Sequence, residues 1–390
     1  MSVFFVFLTG LSLLGLASIV FLFQTDDFAQ ARDVLNVQES KPGVLYFGLG
    51  VSLADYKYEG YARAKPEVAS IGSSRALQFK SHFFDKPFYN LGGLVGDPNH
   101  AIALHKRLLI HTPPKIILYS IDFWSFCRSG PPAQFDINAA NYHNGQTTVT
   151  RPFLVYKLIS AGRLGLKDFY HGIMGEFRYG DQAMGWRGKQ MDTGFDLSGS
   201  LYYSFSRMRE ITQNDIHLRF KTDLEKMLNG DAPFHHGCFV NEAMIHALIE
   251  FSRRLKKYDI KLVTFFPPVP NPILDGMLAS GQFKYVNELR RRFKKIASLE
   301  EFEFHDFHDP RSVDTNECEF VDGYHGGETN YARILLAMAS KGSVIGEVIN
   351  QAFLDNLVGS FANQLVTDFG NVGQRRKDVF NNWPVCKLNE

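Results

Sequence analysis

Four short apolar runs, each stopped by a breaker, recur along this chain and constrain its fold more than any other feature. Residues 67–72 follow Pro66 and end at Gly72-Ser73, and residues 115–121 follow Pro113-Pro114. Residues 260–266 stop at Pro267-Pro268, and residues 302–307 lead into a polar loop. Each run has the length of a strand buried on both faces. Between them lie stretches of helical periodicity. Residues 101–110 carry Lys106 and Arg107 on their polar side. Residues 240–255 set Val240, Met244, Leu248, Phe251 and Leu255 on one stripe, with Arg253, Arg254, Lys256 and Lys257 closing the end where the helix dipole favours them. Residues 285–297 turn Leu289, Phe293 and Ile296 inward and a row of Arg and Lys toward water. Strands alternating with helices predict a three-layer α/β/α fold around a parallel sheet. A helix over residues 75–84 is expected after the first strand. Residues 332–339 are expected to close the domain, and a long amphipathic pattern over 343–366 follows, with Ile345, Ile349, Leu354, Leu357, Phe361 and Leu365 on its stripe.

The α/β rhythm breaks once. Residues 128–235 mix Gly, aromatic and basic residues, as in Gly185-Trp186-Arg187-Gly188-Lys189. More than a hundred residues are too many for a plain loop. The stretch reads as an insertion within a domain spanning 67–342. Its rings beside Arg and Lys suit a sugar or an anionic polymer, and a packed structural insertion is the alternative.

Residues 1–25 contain no charged side chain, and 3–23 are almost wholly apolar. Roughly 20 such residues cross a bilayer core. No Lys or Arg precedes Phe23 to form the basic region of a cleaved signal, so an N-terminal transmembrane helix is expected, followed by a linker and entry segment over 26–66. A net charge of +1 gives no general attraction to nucleic acid. Cys127, Cys238, Cys318 and Cys386 show no metal-like or framework spacing, so at most one disulfide is expected. His305 and His308 lack a ligand pattern and read as structural, with no metal or cofactor called for. Residues 343–390 add a C-terminal helix and a tail.

Two short stretches carry the chemistry. Ile71-Gly72-Ser73-Ser74-Arg75 ends the first apolar run, so a hydroxyl there stands at a strand's carboxyl end, facing the crevice. Asp322-Gly323-Tyr324-His325 supplies what a serine lacks: His325 to take its proton and Asp322 to hold the imidazole tautomer.

The pair resembles the first and last blocks of the SGNH (GDSL-type) hydrolase superfamily, and its Gly-Ser-Ser-Arg form is similar to membrane-anchored members that act on cell-envelope polymers. The resemblance covers most of residues 40–345. It implies a Ser74, Asp322, His325 triad, with Ser74 as nucleophile because it holds the serine position of Gly-x-Ser and Ser73 stands where the family often has Asp. Phe88-Tyr89-Asn90-Leu91-Gly92-Gly93 resembles the second block, which implies a backbone N–H of Gly92 or Gly93 in the oxyanion hole. The usual Asn donor of the third block is replaced by Ile121, and Asp122 and Arg75 are expected to line the cleft. The resemblance further implies acyltransferase or esterase action on an acylated polysaccharide or related polymer, and a membrane-bound acyltransferase as partner. It implies a bacterial single-pass membrane location with the domain on the periplasmic side. A non-catalytic assembly or binding protein with the same fold is the alternative.

Overall fold

The computed structural model describes residues 15–49, 53–108, 113–128, 151–178, 180–191, 193–203, 216–365 and 386. The chain is mixed α/β with several sheets and divides into two compact units. One unit joins Met1–Gly60 to Asp136–Leu197 and Leu201–Ser206, and the other holds the rest.

The larger unit is built on five parallel strands: β1 (Val68–Gly72), β2 (Phe88–Asn90), β3 (Ile116–Ser120), β4 (Lys261–Phe266) and β5 (Glu303–Asp306). Their order across the sheet is β5-β4-β3-β1-β2, with every neighbouring pair parallel. All five residues of β1 and of β3 are buried, as the unbroken apolar runs require. The helices are α1 (Pro98–Leu108), α2 (Ile216–Asn229), α3 (Glu242–Lys256), α4 (Asn271–Ser280), α5 (Lys284–Glu300), α6 (Glu328–Ser340) and α7 (Gln351–Phe361). On one face Val68, Leu118, Val263 and Phe265 pack with Tyr331, Ile334, Leu335 and Met338 of α6 and with Leu354 and Leu357 of α7. On the other, Phe251 of α3 meets Tyr119 and Phe293 of α5 meets Phe266.

Local chemistry sets the helix starts. Asp97 accepts the N–H groups of Asn99 and His100 at the head of α1, and Asn241 accepts Ala243 N–H at the head of α3. The basic face of α5 is partly paired: Arg292 with Glu242 and Arg290 with Asp306. The pattern over 343–366 is not one helix. Asn350 caps Phe353 N–H and starts α7 afresh after a short 3₁₀ turn, Val344–Glu347. Residues 109–110 of the helix expected over 101–110 and most of the expected tail lie outside the described residues.

The helix expected over 75–84 is absent. Two 3₁₀ turns, Ser74–Ala76 and Ser81–Phe83, replace it. The carbonyls an α-helix would use are taken from elsewhere: Asn90 Nδ2 donates to Ala76 O and Phe79 O, and Ser200 Oγ donates to Phe79 O.

The expected N-terminal transmembrane helix is also overturned. Among the described residues no helix is long and apolar enough to cross a membrane, and residues 1–14 lie outside them. The helical turns over 15–24 end inside the smaller unit's own core. Phe21 is fully buried against Phe169 and Trp186, at ring distances of 5.3 and 5.2 Å. Just beyond, the buried Asp27 accepts the N–H groups of Leu49 and Trp186. The stretch read as a linker is likewise folded. It carries helices Ala31–Ser40 and Leu53–Ala64, and its strand Leu45–Tyr46 pairs with Ala183–Met184 and Gly194–Phe195.

Two disulfides, Cys127–Cys238 and Cys318–Cys386, correct the expectation of at most one. The first sits on a two-stranded ribbon, Cys127↔Val240 and Arg128↔Phe239, and ties together the ends of the long insertion. Such closures are invisible in spacing because the partners lie 111 and 68 residues apart.

Candidate active site

In a sheet of this order the strand order reverses between β1 and β3, the switch point outside whose carboxyl ends open α/β sheets bind their ligands. Ser73-Ser74-Arg75 leads out of β1, and Ile121-Asp122 leads out of β3. Gly72 closes β1 with φ of +147°, and a Cβ there would fall 2.7 Å from the Ser120 carbonyl of β3. Only glycine tolerates both the angle and the approach. The chain then turns sharply through Ser73, whose hydroxyl accepts Arg75 N–H at 3.2 Å, and presents Ser74 on the exposed side.

Ser74 Oγ lies 2.7 Å from His325 Nε2. On the far side of the ring, Nδ1 lies 2.8 and 3.0 Å from the two oxygens of Asp322. Asp322 Oδ1 also accepts the backbone N–H groups of Tyr324 and His325. Burial works to raise the Asp322 carboxyl, but His325 and these donors outweigh it and hold it below its ordinary value. An ionised Asp322 fixes the proton on Nδ1 and leaves Nε2 to accept from Ser74. The three residues expected to form a triad are thus within hydrogen-bond reach in one row. Tyr324 packs its ring 4.3 Å from the imidazole and 5.7 Å from Trp124, with the buried Phe234 behind both.

Arg75 and Asp122 do not line the open cleft as expected; both are buried behind the serine turn. The Arg75 guanidinium reaches Asp122 at 3.3 Å, donates to the carbonyls of Pro267 and Pro268, and lies under the Trp124 ring at 5.1 Å. Burial pushes the Asp122 carboxyl above its ordinary value, partly offset by Arg75 and the Ser73 hydroxyl. Ser73 therefore faces this buried pair and Ser74 faces the imidazole. His308 lies in the same region, its ring nitrogens without a partner among the described residues, and burial beside Arg75 lowers it to about 3.

The glycines expected to donate to an oxyanion are already engaged. Gly92 N–H donates to Asn90 Oδ1 at 2.8 Å, and Gly93 N–H to the carbonyls of Gly72 and Ser73. Ile121 is buried, and its N–H is taken by Phe265 O. Among the described residues the Ser74 N–H has no partner, which leaves it as the donor beside Ser74 Oγ.

Sequence reasoning missed Asn90. Its fully buried amide braces the turn around Ser73 and Ser74 through Ala76 O, Phe79 O and Gly92 N–H. A polar residue just before a Gly-Gly turn was the available signal. It also missed α2, which belongs to the insertion by sequence yet touches the His325 loop through Arg219 and Asp223. Among the described residues no group of three or more His, Cys, Asp or Glu is placed to hold a metal ion. His305 Nε2 instead meets Glu303 at 3.0 Å.

No protein-family model matches this chain, and no curated protein matches it.

Proposed function

We propose that the protein is an SGNH-like serine acyltransferase or esterase acting on an acylated cell-envelope polysaccharide or a related polymer. The observation that carries this reading is the row Ser74 Oγ, His325 Nε2, Asp322 at 2.7 and 2.8 Å, standing at the carboxyl ends of β1 and β3. In this reading Ser74 Oγ attacks the ester carbonyl carbon as its proton passes to His325 Nε2. The oxyanion forms against Ser74 N–H. Collapse breaks the acyl–oxygen bond, and the imidazolium returns the proton to the leaving alcohol. A second hydroxyl, of water or of a sugar, then attacks the acyl carbon as it gives its proton to His325, and the imidazolium returns that proton to Ser74 Oγ as the acyl-enzyme bond breaks. Asp322 stabilises the imidazolium through both steps.

All four cysteines are in disulfides, which supports an oxidising compartment outside the cytoplasm. The polymer substrate and a membrane-bound acyltransferase as partner rest on the resemblance of the two motifs alone. A serine-directed fluorophosphonate probe tests the enzyme reading. The wild-type protein should be labelled on Ser74, and folded His325→Ala should be labelled far more slowly. A folded wild-type protein that takes no label at Ser74 overturns the reading.

A second reading, a non-catalytic assembly or binding protein, is favoured by one observation. Gly92 N–H, Gly93 N–H and Ile121 N–H all donate elsewhere, so fewer donors face a developing oxyanion than in a full hole. Stoichiometric labelling without turnover of any acylated polymer would support it.

A further inference from the structure

We propose that α2 is the clamp that positions the His325 loop, with Asp223 as its positioning residue. The inference rests on the catalytic reading above. The loop closes on itself at its base, where Val321 N–H donates to His325 O at 2.7 Å and Phe320 bridges Gly326. Inside it, Asp322 takes the N–H groups of Tyr324 and His325. The apex amide, Gly323 N–H, is met from outside the loop, by Asp223 Oδ2 at 3.0 Å. The approach is close enough that a Cβ on Gly323 would fall 2.4 Å from the Asp223 Cβ, so the glycine is what admits the helix.

The grip has a second point and a rigid back. One turn earlier on α2, Arg219 Nη1 donates to Phe320 O at 3.0 Å and Glu317 O at 3.4 Å. Asp223 is buried, and Lys226 at 2.9 Å holds its carboxylate from the following turn. Behind, Phe220 and Met227 are buried, and α4 brings Gly276 so near Met227 that a Cβ there would fall 2.3 Å from the methionine methyl. The helix is therefore fixed to the α/β core on one side and to both ends of the loop's first half on the other. The Asp223 carboxylate bonds to Gly323 N–H and Lys226 Nζ, so it acts through the loop. A proton-transfer distance of 2.7 Å is what such a clamp maintains, and a displacement of about 1 Å costs on the order of 10²-fold in rate.

The test uses the full chain, 4-nitrophenyl acetate as substrate and ring-¹⁵N NMR of His325. Asp223→Ala should lower kcat by about 10- to 100-fold with KM changed less than about twofold. Asp223→Asn, which keeps an oxygen acceptor for Gly323 N–H, should return kcat to within about threefold of wild type. In a Ser74→Ala background Asp223→Ala should still move the His325 titration, a readout that needs no turnover. The Gly323 amide of the wild type should be protected from exchange, which decides the matter if Asp223→Ala does not fold. Free exchange at Gly323, or a folded Asp223→Ala with unchanged kcat and His325 titration, overturns the clamp. Loss of the enzyme reading would show differently: Ser74→Ala would leave wild-type turnover intact while Gly323 stayed protected.

Discussion

Gly93 N–H donates to the Ser73 carbonyl at 3.0 Å as well as to that of Gly72 at 2.9 Å. This bond ties the second motif to the nucleophile turn and uses the donor that the resemblance assigns to the oxyanion. The turn gains rigidity and the site loses a donor. Removing one oxyanion donor elsewhere costs about 10²–10³ in rate, so the proposed acyl transfer is expected to be slow.

The two serines of the turn separate cleanly. Ser74→Ala removes the atom 2.7 Å from His325 and should reduce ester turnover to background, a loss on the order of 10³–10⁶. Ser73→Ala removes the cap on Arg75 N–H and the contact with Asp122, worth about 1 kcal/mol, and should cost roughly tenfold or less. Because Ser74 and His325 act together, Ser74→Ala/His325→Ala should be no slower than either single variant. Parallel kcat/KM measurements on wild type, Ser73→Ala, Ser74→Ala, His325→Ala and the double variant check this, and a dead Ser73→Ala beside an active Ser74→Ala would move the nucleophile by one residue.

The strands were readable because apolar runs bounded by Pro66, Pro113-Pro114 and Pro267-Pro268 have few other solutions in a chain of this composition. Ser74 was legible from the Gly72-Ser73 turn that ends the first run, and Asp322 and His325 from their spacing of three and its resemblance to a family motif. What could not be read was any structure decided by a distant partner. Residues 75–84 have helical composition, yet Asn90 and Ser200 take the carbonyls a helix needs. An apolar N-terminus looks the same whether it meets lipid or, as Phe21 does, Phe169 and Trp186. Asp223 lies 100 residues from the Gly323 amide it binds, and nothing in either segment names the other.

The Cys127–Cys238 bridge should carry much of the larger unit's resistance to unfolding. It closes a loop of 111 residues, for which chain entropy in the unfolded state gives about 4–5 kcal/mol, and measured losses run about 2–5 kcal/mol. Cys127→Ser/Cys238→Ser should lower the urea midpoint by a corresponding amount under non-reducing conditions. An unchanged midpoint would show that the ribbon Cys127↔Val240 holds the insertion's ends without the bridge.

Acid should destabilise the protein well above the range in which its carboxylates titrate, and His308 is the reason. Its imidazole is buried, and neither nitrogen has a partner among the described residues. Burial lowers its pKa from 6.5 to about 3, helped by Arg75 and Arg290 and opposed by Asp309. The folded state therefore keeps this ring neutral while the unfolded chain protonates it near its ordinary value. Between those two values the unfolded state binds the extra proton, so stability falls as pH falls. The contribution is fully present above pH 6.5 and is lost progressively down toward pH 3, with a limiting slope of about 1.4 kcal/mol per pH unit for one proton. His105, lowered to about 4 by burial and Arg254, adds a second slope of the same sign. His308→Phe removes the titration and keeps an aromatic ring beside Phe123. Its urea-derived stability should be flatter than wild type between pH 6.5 and 4. Equal slopes in the two proteins would mean that His308 titrates normally in the folded state, through solvent access that its burial denies.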